Sequence, residues 1–479
     1  MLPNETLSAI FHELPPSSLA AAARASVRFN AVAERILYSS IYIHDLLLPL
    51  RTLKWCAAMR TRPHLFESVK RLHIRWQHAP PDPASSSSSV APPGPSTAAI
   101  GPEHSRYWIH ACEQLALVLP LLTELESLDL FLGPANLAPY PAYDDIDPDA
   151  DTEKIHAIER VVRGCSFPHL RACTLGADSA KGAQPYTRVL VDFLGALPAL
   201  RHLRLSDLAS HHHQYEYDYA PPHLQFAHTT LGAGGGGGPP NYYAARTARL
   251  DSLPSTALPL LTSFRGSADA AAALLPGRPV QFLALVGQDS DVTRENLPRL
   301  TQTSLPLRYL DLSAMSVRPV LLRNVSAWLP TVETLRVKLA LRHTLHYSFS
   351  GIRILAGLSA VLAAFPHLTH LDLSPTGIDG VGRADAREEH AVCTEWARAC
   401  PTLRRVVFPS GTEWVWVGAG GGVGAGAGGA GGAGGGVGVG EGGVEGGGGG
   451  EGGGEGDGDG DALATTMAMG GWMQVGAGQ

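Results

Sequence analysis

Cysteine is scarce in this sequence, with six in 479 residues and no pair spaced as C-x-x-C. This excludes the dense disulfide framework of small secreted domains and the close ligand pairs of zinc ribbons. We therefore expect reduced, mostly buried thiols of an intracellular protein. One alternative is a zinc site made by His390, Cys393 and Cys400, which are neighbours in sequence but lack tight ligand spacing.

Charge is scarce too, and it is unevenly distributed. Asp, Glu, Lys and Arg make up 17% of the chain, and the formal net charge is −7. The segment after Val417 holds seven acidic residues and no Lys or Arg, so the rest of the chain is close to neutral. A generic nucleic-acid binder would show a basic excess, and a membrane-surface protein would show polybasic blocks. Neither class is predicted.

Long apolar runs, targeting signals and catalytic motifs are also missing. No apolar stretch approaches the ~18–20 residues of a membrane span, and no signal peptide or lipidation motif is evident. We expect a soluble intracellular protein of the cytoplasm, the nucleus or both. The sequence holds no P-loop, G-x-S-x-G elbow or H-E-x-x-H motif, so no catalytic residue, metal ligand or cofactor is predicted. A hydrolase hidden in the central region is the minor alternative.

Glycine and proline, in contrast, are abundant. More than half of the 54 glycines follow Val417, which predicts a disordered, acidic, Gly-rich tail over residues 417–479. Disordered insertions are predicted at about residues 79–105, 133–151 and 209–247. The third insertion holds a histidine triplet, His211–His213, and a tyrosine run, Tyr215–Tyr219. A metal site at the triplet and a recognition surface at the run are alternatives to plain solvent exposure.

The first 43 residues predict three short helices separated by Pro15-Pro16 and by Ser26. Their order of residues resembles an F-box throughout, from Leu2-Pro3-x-Glu5-x-Leu7 to Leu37-Tyr38-Ser39-Ser40-Ile41. Ser26 and Phe29 depart from it, since Cys and Trp are common there. The resemblance implies binding to the adaptor Skp1, and through it to a cullin–RING ubiquitin ligase. Carried over by position, the implied Skp1 contacts are Leu2, Pro3, Leu7, Ile10, Phe11, Leu14, Leu19, Phe29, Leu37 and Tyr38.

A second pattern recurs after residue 50: an apolar residue, a second three positions later and a third two positions after that. A proline precedes many of these blocks, and amphipathic helices are predicted between them. The pattern predicts ten strands, with these blocks: Val69-Leu72-Ile74, Leu125-Leu128-Leu130, Leu170-Cys173-Leu175, Leu200-Leu203-Leu205, Leu261-Phe264, Val280-Leu283-Leu285, Leu307-Leu310-Leu312, Val332-Leu335-Val337, Leu368-Leu371-Leu373 and Leu403-Val406-Phe408.

These units resemble leucine-rich repeats in an irregular form, with a strand and a helix per unit. The Asn or Cys expected after the third leucine is absent, which puts regular curvature in doubt. The predicted fold class is α/β. An F-box domain of three helices over residues 1–45 precedes a leucine-rich-repeat-like solenoid with a parallel strand face over residues 46–416. A closed eight-stranded β/α barrel is the competing architecture.

Together the two patterns resemble an F-box protein of the fungal type. The implied function is the substrate receptor of a Skp1–cullin–F-box ubiquitin ligase, itself without catalysis, with a target protein held on the strand face. A protein-interaction scaffold whose F-box works outside ubiquitin ligation is the alternative. The target is not readable from the sequence. Candidate target contacts are the polar residues between the repeat leucines: Asp129, Arg204, Asp311, Arg336 and Asp372.

Overall fold

The computed structural model describes residues 2–77, 102–136, 157–177, 188–207, 250–340, 355, 357–377, 386–418 and 471–475. Most of the predicted insertions and of the acidic tail lie outside these residues, and so do His211–His213 and Tyr215–Tyr219. Within the described ranges, no helix combines the length and apolar character that crossing a bilayer requires.

Three helices open the chain, as the sequence predicts. They are α1 (Asn4–His12), α2 (Pro16–Ala25) and α3 (Val27–Ser39). Pro16 occupies the first turn of α2, where its missing N–H costs no hydrogen bond. The Ser26 side chain accepts a hydrogen bond from the Phe29 N–H at 3.1 Å and so caps α3. A small apolar core joins the helices, in which Phe29 lies edge-on to Phe11 with ring centroids 5.5 Å apart.

The other elements are built around one sheet. Its thirteen strands are β1 (Ser40–Asp45), β2 (Arg71–Trp76), β3 (Ser127–Phe131), β4 (Ala172–Ala177), β5 (His202–Asp207), β6 (Ser263–Gly266), β7 (Phe282–Val286), β8 (Tyr309–Val317), β9 (Thr334–Leu339), β10 (His370–Asp372), β11 (Arg405–Val407), β12 (Glu413–Val417) and β13 (Gly471–Val475). The strands lie in chain order; β1 to β11 pair in parallel, and β12 and β13 are antiparallel to their neighbours. Among the described strands the sheet is open, with β1 and β13 at its edges, which excludes the closed eight-stranded barrel.

Each of the ten predicted apolar blocks has its second residue on one of the strands β2 to β11 and its first residue two positions before that strand, and the register aligns the blocks across the sheet. Leu128 pairs with Leu72 on one side and Cys173 on the other, and the same alignment continues to Leu371 and Val406. Alternate strand residues point to opposite faces, so the aligned apolar residues line one buried face. That face and the helices that connect the strands form a single apolar core.

Helices connect most successive strands. They are Leu50–Thr61, Pro102–Val118, Gly133–Asn136, Ala157–Val162, Arg188–Gly195, Ala268–Leu274, Asn296–Leu300, Pro319–Trp328, Ser359–Leu362 and Ala386–Ala399. Neighbouring helices contact one another in chain order. They cover the apolar face of the sheet, and the opposite face is lined mainly by polar residues, except on β7, where Phe282 and Ala284 lie on it. We call this second surface the polar face.

Backbone hydrogen bonds fix the register of the parallel strands, in which the Asn residues expected after the third leucine of each repeat are absent. The carbonyl oxygen of the residue just before a strand accepts from two consecutive N–H groups at the start of the next strand. Lys70 accepts from Glu126 and Ser127 at 2.8 and 3.0 Å, and Glu333 accepts from Thr369 and His370 at 2.8 and 3.0 Å. The same pair of bonds recurs at these carbonyls: Glu126, Arg171, Arg201, Thr262, Gln281, Arg308 and Thr369. Successive strands are therefore joined by main-chain groups, which do not depend on the type of residue.

The structure corrects the sequence prediction in several places. Strands β1, β12 and β13 were not predicted. β13 lies inside the tail predicted to be disordered, because Trp472 supplies an apolar side chain that becomes buried against the sheet. The helix Pro102–Val118 begins within the predicted insertion 79–105, and Gly133–Asn136 is helical although it falls in the insertion 133–151.

Candidate docking surfaces

The ten residues predicted to contact an adaptor divide by exposure. Leu7, Phe11 and Leu19 are at most 5% exposed and pack within the helices. Four are half-buried: Leu14, Phe29, Leu37 and Tyr38. Pro3 is exposed, and Leu2 and Ile10 are 52% and 45% exposed. Contact of all ten with an adaptor remains a prediction.

The exposed apolar residues are arranged along one side of α1. Pro3, Leu7 and Ile10 are spaced by four and three positions, so they share a helical face. Leu7 anchors that face in the interior, while Pro3 and Ile10 remain open to solvent. We call Leu2, Pro3 and Ile10 the apolar edge. Exposed apolar side chains held on a rigid helix are suited to a protein partner.

Arg28 of α3 fixes the start of the chain against the helices. Its Nε donates to Oδ1 of Asn4 at 2.9 Å, and its guanidinium also donates to the carbonyl oxygen of Leu2. These bonds hold two residues that flank Pro3 and so position the apolar edge. The sequence motif includes Arg28, but its role as a positioning residue emerges only from the geometry.

The helices are joined to the sheet without a linker. α3 ends at Ser39 and β1 begins at Ser40. The Ser39 carbonyl oxygen accepts from the Lys70 N–H at 2.9 Å, so the last turn of α3 is tied to the strand β2. Glu34 adds a side-chain contact, because its carboxylate accepts from Arg62 beyond the next helix. The apolar edge and the polar face are thus held in a fixed relation.

A buried carboxylate strengthens this joint. Asp45, the last residue of β1, accepts from the N–H groups of Arg51 and Thr52 at 3.0 and 3.1 Å, which caps the helix Leu50–Thr61. The Thr52 hydroxyl donates to Asp45 at 2.7 Å and accepts from Nε1 of Trp76 at 3.0 Å. This hydrogen-bonded chain links β1, the helix and β2.

The five residues predicted to contact a target lie on one row of the polar face. In register, Asp129 pairs with Thr174, which pairs with Arg204. The row continues through Arg265 and Ala284 to Asp311, Arg336 and Asp372. At the β1 end it begins with Tyr42 and His73. The structure therefore brings together residues that are separated by up to 243 positions in the sequence, as the difference between Asp129 and Asp372 shows.

At the β1 end, rings and cations cover the polar face. His73 lies 5.2 Å from His44 and 5.8 Å from Tyr42, measured between ring centroids. Its Nδ1 is 2.6 Å from the Asp129 carboxylate. The Arg75 guanidinium lies over the Phe131 ring, 5.6 Å from its centroid, in cation–π geometry.

Gly176 makes room for that arrangement. A Cβ at position 176 would lie 2.3 Å from Cδ2 of Phe131, far inside van der Waals contact. Only glycine on β4 lets the Phe131 ring occupy this space beside Arg75. The sequence pattern does not reveal this requirement, because it depends on which residues the register places side by side.

At the other end of the row the charges are paired. Arg336 Nε lies 3.1 Å from the Asp372 carboxylate. Asp311 is buried and accepts from the Ser313 N–H at 2.8 Å. Arg405 and Glu413 form a further ion pair at 2.8 Å. Arg336 and Arg405 on this side therefore each have a carboxylate as ion-pair partner.

The zinc alternative is not supported by the packing. Cys393 and Cys400 are buried, and Cys400 Sγ lies 3.6 Å from the carbonyl oxygens of Phe365 and Leu368. His390 instead packs edge-on against Trp414 at 5.6 Å. Among the described residues, no group of three His, Cys, Asp or Glu side chains is placed to hold a metal ion.

All six thiols are buried and unpaired, as the sequence predicts. Burial raises the pKa of Cys56, Cys112 and Cys165 to about 12. It also raises the pKa of Cys173 and Cys393. Thiols in this state are poor nucleophiles, because the reactive form is the thiolate.

Comparison with known proteins identifies one segment of the chain. Residues 1–44 match the F-box-like family model. The match covers α1 to α3 and most of β1, and it confirms the F-box resemblance of the sequence. No curated protein sequence matches the chain.

Proposed function

We propose that this protein is the substrate receptor of a Skp1–cullin–F-box ubiquitin ligase. The observation that carries the proposal is the F-box-like match over residues 1–44, since F-box domains bind a Skp1-type adaptor. In this role the chain performs no covalent chemistry. It holds a target while the partner proteins transfer ubiquitin, and it acts in the cytoplasm, the nucleus or both.

The apolar edge supports the adaptor-binding half of the proposal. Leu2 and Pro3 just before α1, and Ile10 on α1, are exposed apolar residues, and Arg28 holds Leu2 and Asn4 by hydrogen bonds. Burying such side chains against a partner contributes about 25 cal/mol for each Å² removed from water. The half-buried Leu37 and Tyr38 of α3 extend the contact, whereas Phe11 and Leu19 support it from within.

The sheet supports the target-binding half. Its chain-ordered parallel strands, backed by helices on one side, support the proposal that this region is an irregular leucine-rich-repeat-like solenoid. The polar face of such an array is a wide binding surface. Because α3 continues directly into β1, a target on this face is held at a fixed orientation relative to the adaptor.

Binding to purified Skp1 tests the proposal. The full chain mixed with Skp1 should co-elute in size-exclusion chromatography, and the double variant Leu2→Asp with Ile10→Asp should abolish co-elution. The matched control is Leu117→Asp with Val320→Asp, which charges two exposed apolar helix residues far from the apolar edge. It should bind as the wild type does.

The result with cullin completes the test. Addition of a cullin to the wild-type complex should give a ternary complex by the same method. Failure of the wild type to bind Skp1 would overturn adaptor binding altogether. A stable Skp1 complex that excludes cullin would instead favour a scaffold outside ubiquitin ligation.

A further inference from the structure

The polar face is electrostatically divided along the sheet. On β1 to β6 its strand residues include four arginines, Arg71, Arg75, Arg204 and Arg265, against one carboxylate, Asp129. On β7 to β12 three cations, Arg336, Lys338 and Arg405, face three carboxylates, Asp311, Asp372 and Glu413. We call the first part the basic half and the second the balanced half.

The cations of the basic half are incompletely satisfied. The Nε atoms of Arg75 and Arg265 are buried and have no hydrogen-bond partner within the described part of the chain. The same holds for Arg336 Nε in the balanced half, but that atom lies 3.1 Å from the Asp372 carboxylate in an ion pair. The nearest Arg75–Asp129 approach is 3.9 Å, too long for a hydrogen bond. Asp129 contacts His73 through Oδ2, its Oδ1 is buried without a hydrogen-bond partner among the described residues, and its single negative charge offsets only part of the charge of the four arginines. Buried donors without acceptors are costly, and an incoming acceptor would relieve that cost.

Repulsion among Arg75, Arg204 and Arg265 is a second indication that the basic half binds an anion. Burial, and then the charges of Arg265 and Arg75, lower the pKa of Arg204, while Asp129 acts in the opposite direction. Arg204 and Arg265 are direct register partners on β5 and β6. Like charges placed opposite each other destabilise a sheet. The fold therefore holds these cations together against their repulsion, and an anion between them would remove it.

The positions of the arginines favour an extended anion over a compact one. The arginines lie on β2, β5 and β6, and neighbouring strands are about 4.8 Å apart. A compact ion would meet one or two of them, whereas an extended chain with regularly spaced carboxylates that crosses the strands would meet Arg204, Arg265 and an arginine of β2. Arginine is also suited to bidentate binding of carboxylates. The rings of Tyr42, His44 and His73 border the site at the β1 end.

We propose that the basic half of the polar face binds an extended acidic segment, rich in aspartate and glutamate, of the target protein. This inference rests on the proposed function in so far as it assigns the polar face to the target. It adds the chemical class of the target segment and its position next to the F-box-like helices. The near-neutral charge of the rest of the chain before the Gly-rich tail does not reveal this asymmetry, because acidic residues elsewhere in that part of the chain offset the positive excess of the basic half.

Peptide binding to the full chain, without any adaptor, tests this proposal. The probe is a short fluorescein-labelled peptide of alternating glutamate and serine, and its glutamine counterpart is the neutral control. Fluorescence anisotropy should show saturable binding of the glutamate peptide alone, weakened by added salt because exposed charges are screened. Since Skp1 is absent, failure here leaves adaptor binding untouched, and the two proposals fail separately.

Two matched double variants locate the site. Arg204→Gln with Arg265→Gln should weaken binding about tenfold, the loss expected when interfacial charge pairs are removed. Arg336→Gln with Arg405→Gln removes the same charge from the same face but in the balanced half, and it should change binding less than about twofold. Arg204→Lys with Arg265→Lys, which keeps the charge, should retain most of the affinity. Circular dichroism melting checks that each variant is folded.

Three outcomes would overturn the proposal. The first is no saturable binding of the glutamate peptide to wild type. The second is an equal loss in the two glutamine variants, which would show that only the overall charge matters. The third is tighter binding of single-stranded RNA than of the peptide at equal salt, which would assign the basic half to nucleic acid.

Discussion

The Arg28 side chain donates from Nε to Oδ1 of Asn4 at 2.9 Å and also donates to the carbonyl oxygen of Leu2. One residue of α3 thus holds both neighbours of Pro3, the residue that precedes α1. In the proposed complex Leu2 and Pro3 contact the adaptor. The bonds restrict the start of the chain before binding, which lowers the entropy that association must overcome.

Replacing Arg28 with methionine should therefore weaken adaptor binding more than it weakens the fold. We expect a loss of affinity of about five- to tenfold, in line with ~1–1.5 kcal/mol for a partly exposed, charge-assisted contact. Isothermal titration calorimetry with purified Skp1 measures it. Arg24→Met, on the exposed surface of α2, is the matched control. An equal loss in both variants would refute a positioning role for Arg28.

Arg278 provides a second case in which one guanidinium organises the backbone. The side chain is buried and donates to the carbonyl oxygens of Leu253, Pro254, Ala257, Leu274 and Pro276. Burial lowers its pKa. Five carbonyls are satisfied by a group that has five N–H donors in a fixed fork. Residues 253–257, which precede β6, are thereby tied to the end of the helix Ala268–Leu274.

Arg278→Met should lower the free energy of unfolding by about 2–4 kcal/mol, because it leaves several buried carbonyls without a donor. Arg278→Lys should fall between the wild type and the methionine variant, since three donors cannot reach all five carbonyls. Urea denaturation measures both. As a control, Arg299→Met breaks a nearby exposed ion pair with Asp251 and should cost less than about 1 kcal/mol. A similar loss in Arg299→Met and Arg278→Met would contradict this account.

The strand positions were predictable because burial on one face leaves a period of two in the sequence. Leu128 and Leu130 on β3 carry that signal, as do Leu335 and Val337 on β9. β1 was missed because Ile41 and Ile43 follow a helix without a break and were assigned to the F-box-like segment. The backbone hydrogen bonds that fix the register were missed for a different reason, since their acceptors are main-chain carbonyls with no side-chain signature.

The candidate surfaces were predictable only in part. Alternation along each strand singled out Arg204 and Asp129 as polar-face residues. The division into a basic and a balanced half depends on which strands become neighbours, and Arg265 lies 61 positions from its register partner Arg204. The exposure of Ile10 and the burial of Phe11, adjacent in sequence, likewise follow from how α1 packs on α3.

The buried thiols should make the protein sensitive to alkaline pH. Cys112 has its pKa raised from 9.0 to about 12, chiefly by burial. Above pH 9 the unfolded chain loses this proton while the folded chain keeps it, so stability must fall as the pH rises from 9 towards 12. At pH 7 both states are protonated and no penalty applies.

Cys112→Ala should therefore make the free energy of unfolding fall less steeply as the pH rises above 9. Between pH 8 and pH 10 the free energy of unfolding of wild type should fall more than that of the variant, by about 1 kcal/mol. Urea titrations at the two pH values measure the difference, in the presence of a reductant. An unchanged slope in the variant would show that Cys112 does not contribute to the alkaline loss.

The last strands of the sheet depend on a buried acid in the helix Ala386–Ala399. Glu389 is 1% exposed, and its carboxylate accepts from Ser410 Oγ and from Trp414 Nε1, each at 2.8 Å. Ser410 lies in the turn that leads to β12, and Trp414 lies on β12 itself. β13 pairs with β12 and closes this edge. The carboxylate thus connects a helix to the segment from which the acidic tail departs.

Glu389→Leu should free both donors and leave the indole N–H of Trp414 buried without an acceptor, at a cost of about 2–4 kcal/mol. Glu389→Gln should cost about 1 kcal/mol, since an amide oxygen can accept one of the two bonds. Hydrogen exchange read by mass spectrometry should show lost protection in β12 and β13 first, with β2 to β5 unchanged. Glu395→Leu, an exposed position on the same helix, is the control and should leave that protection intact. Uniform loss across the whole sheet in Glu389→Leu would show that the contact supports global stability rather than this edge.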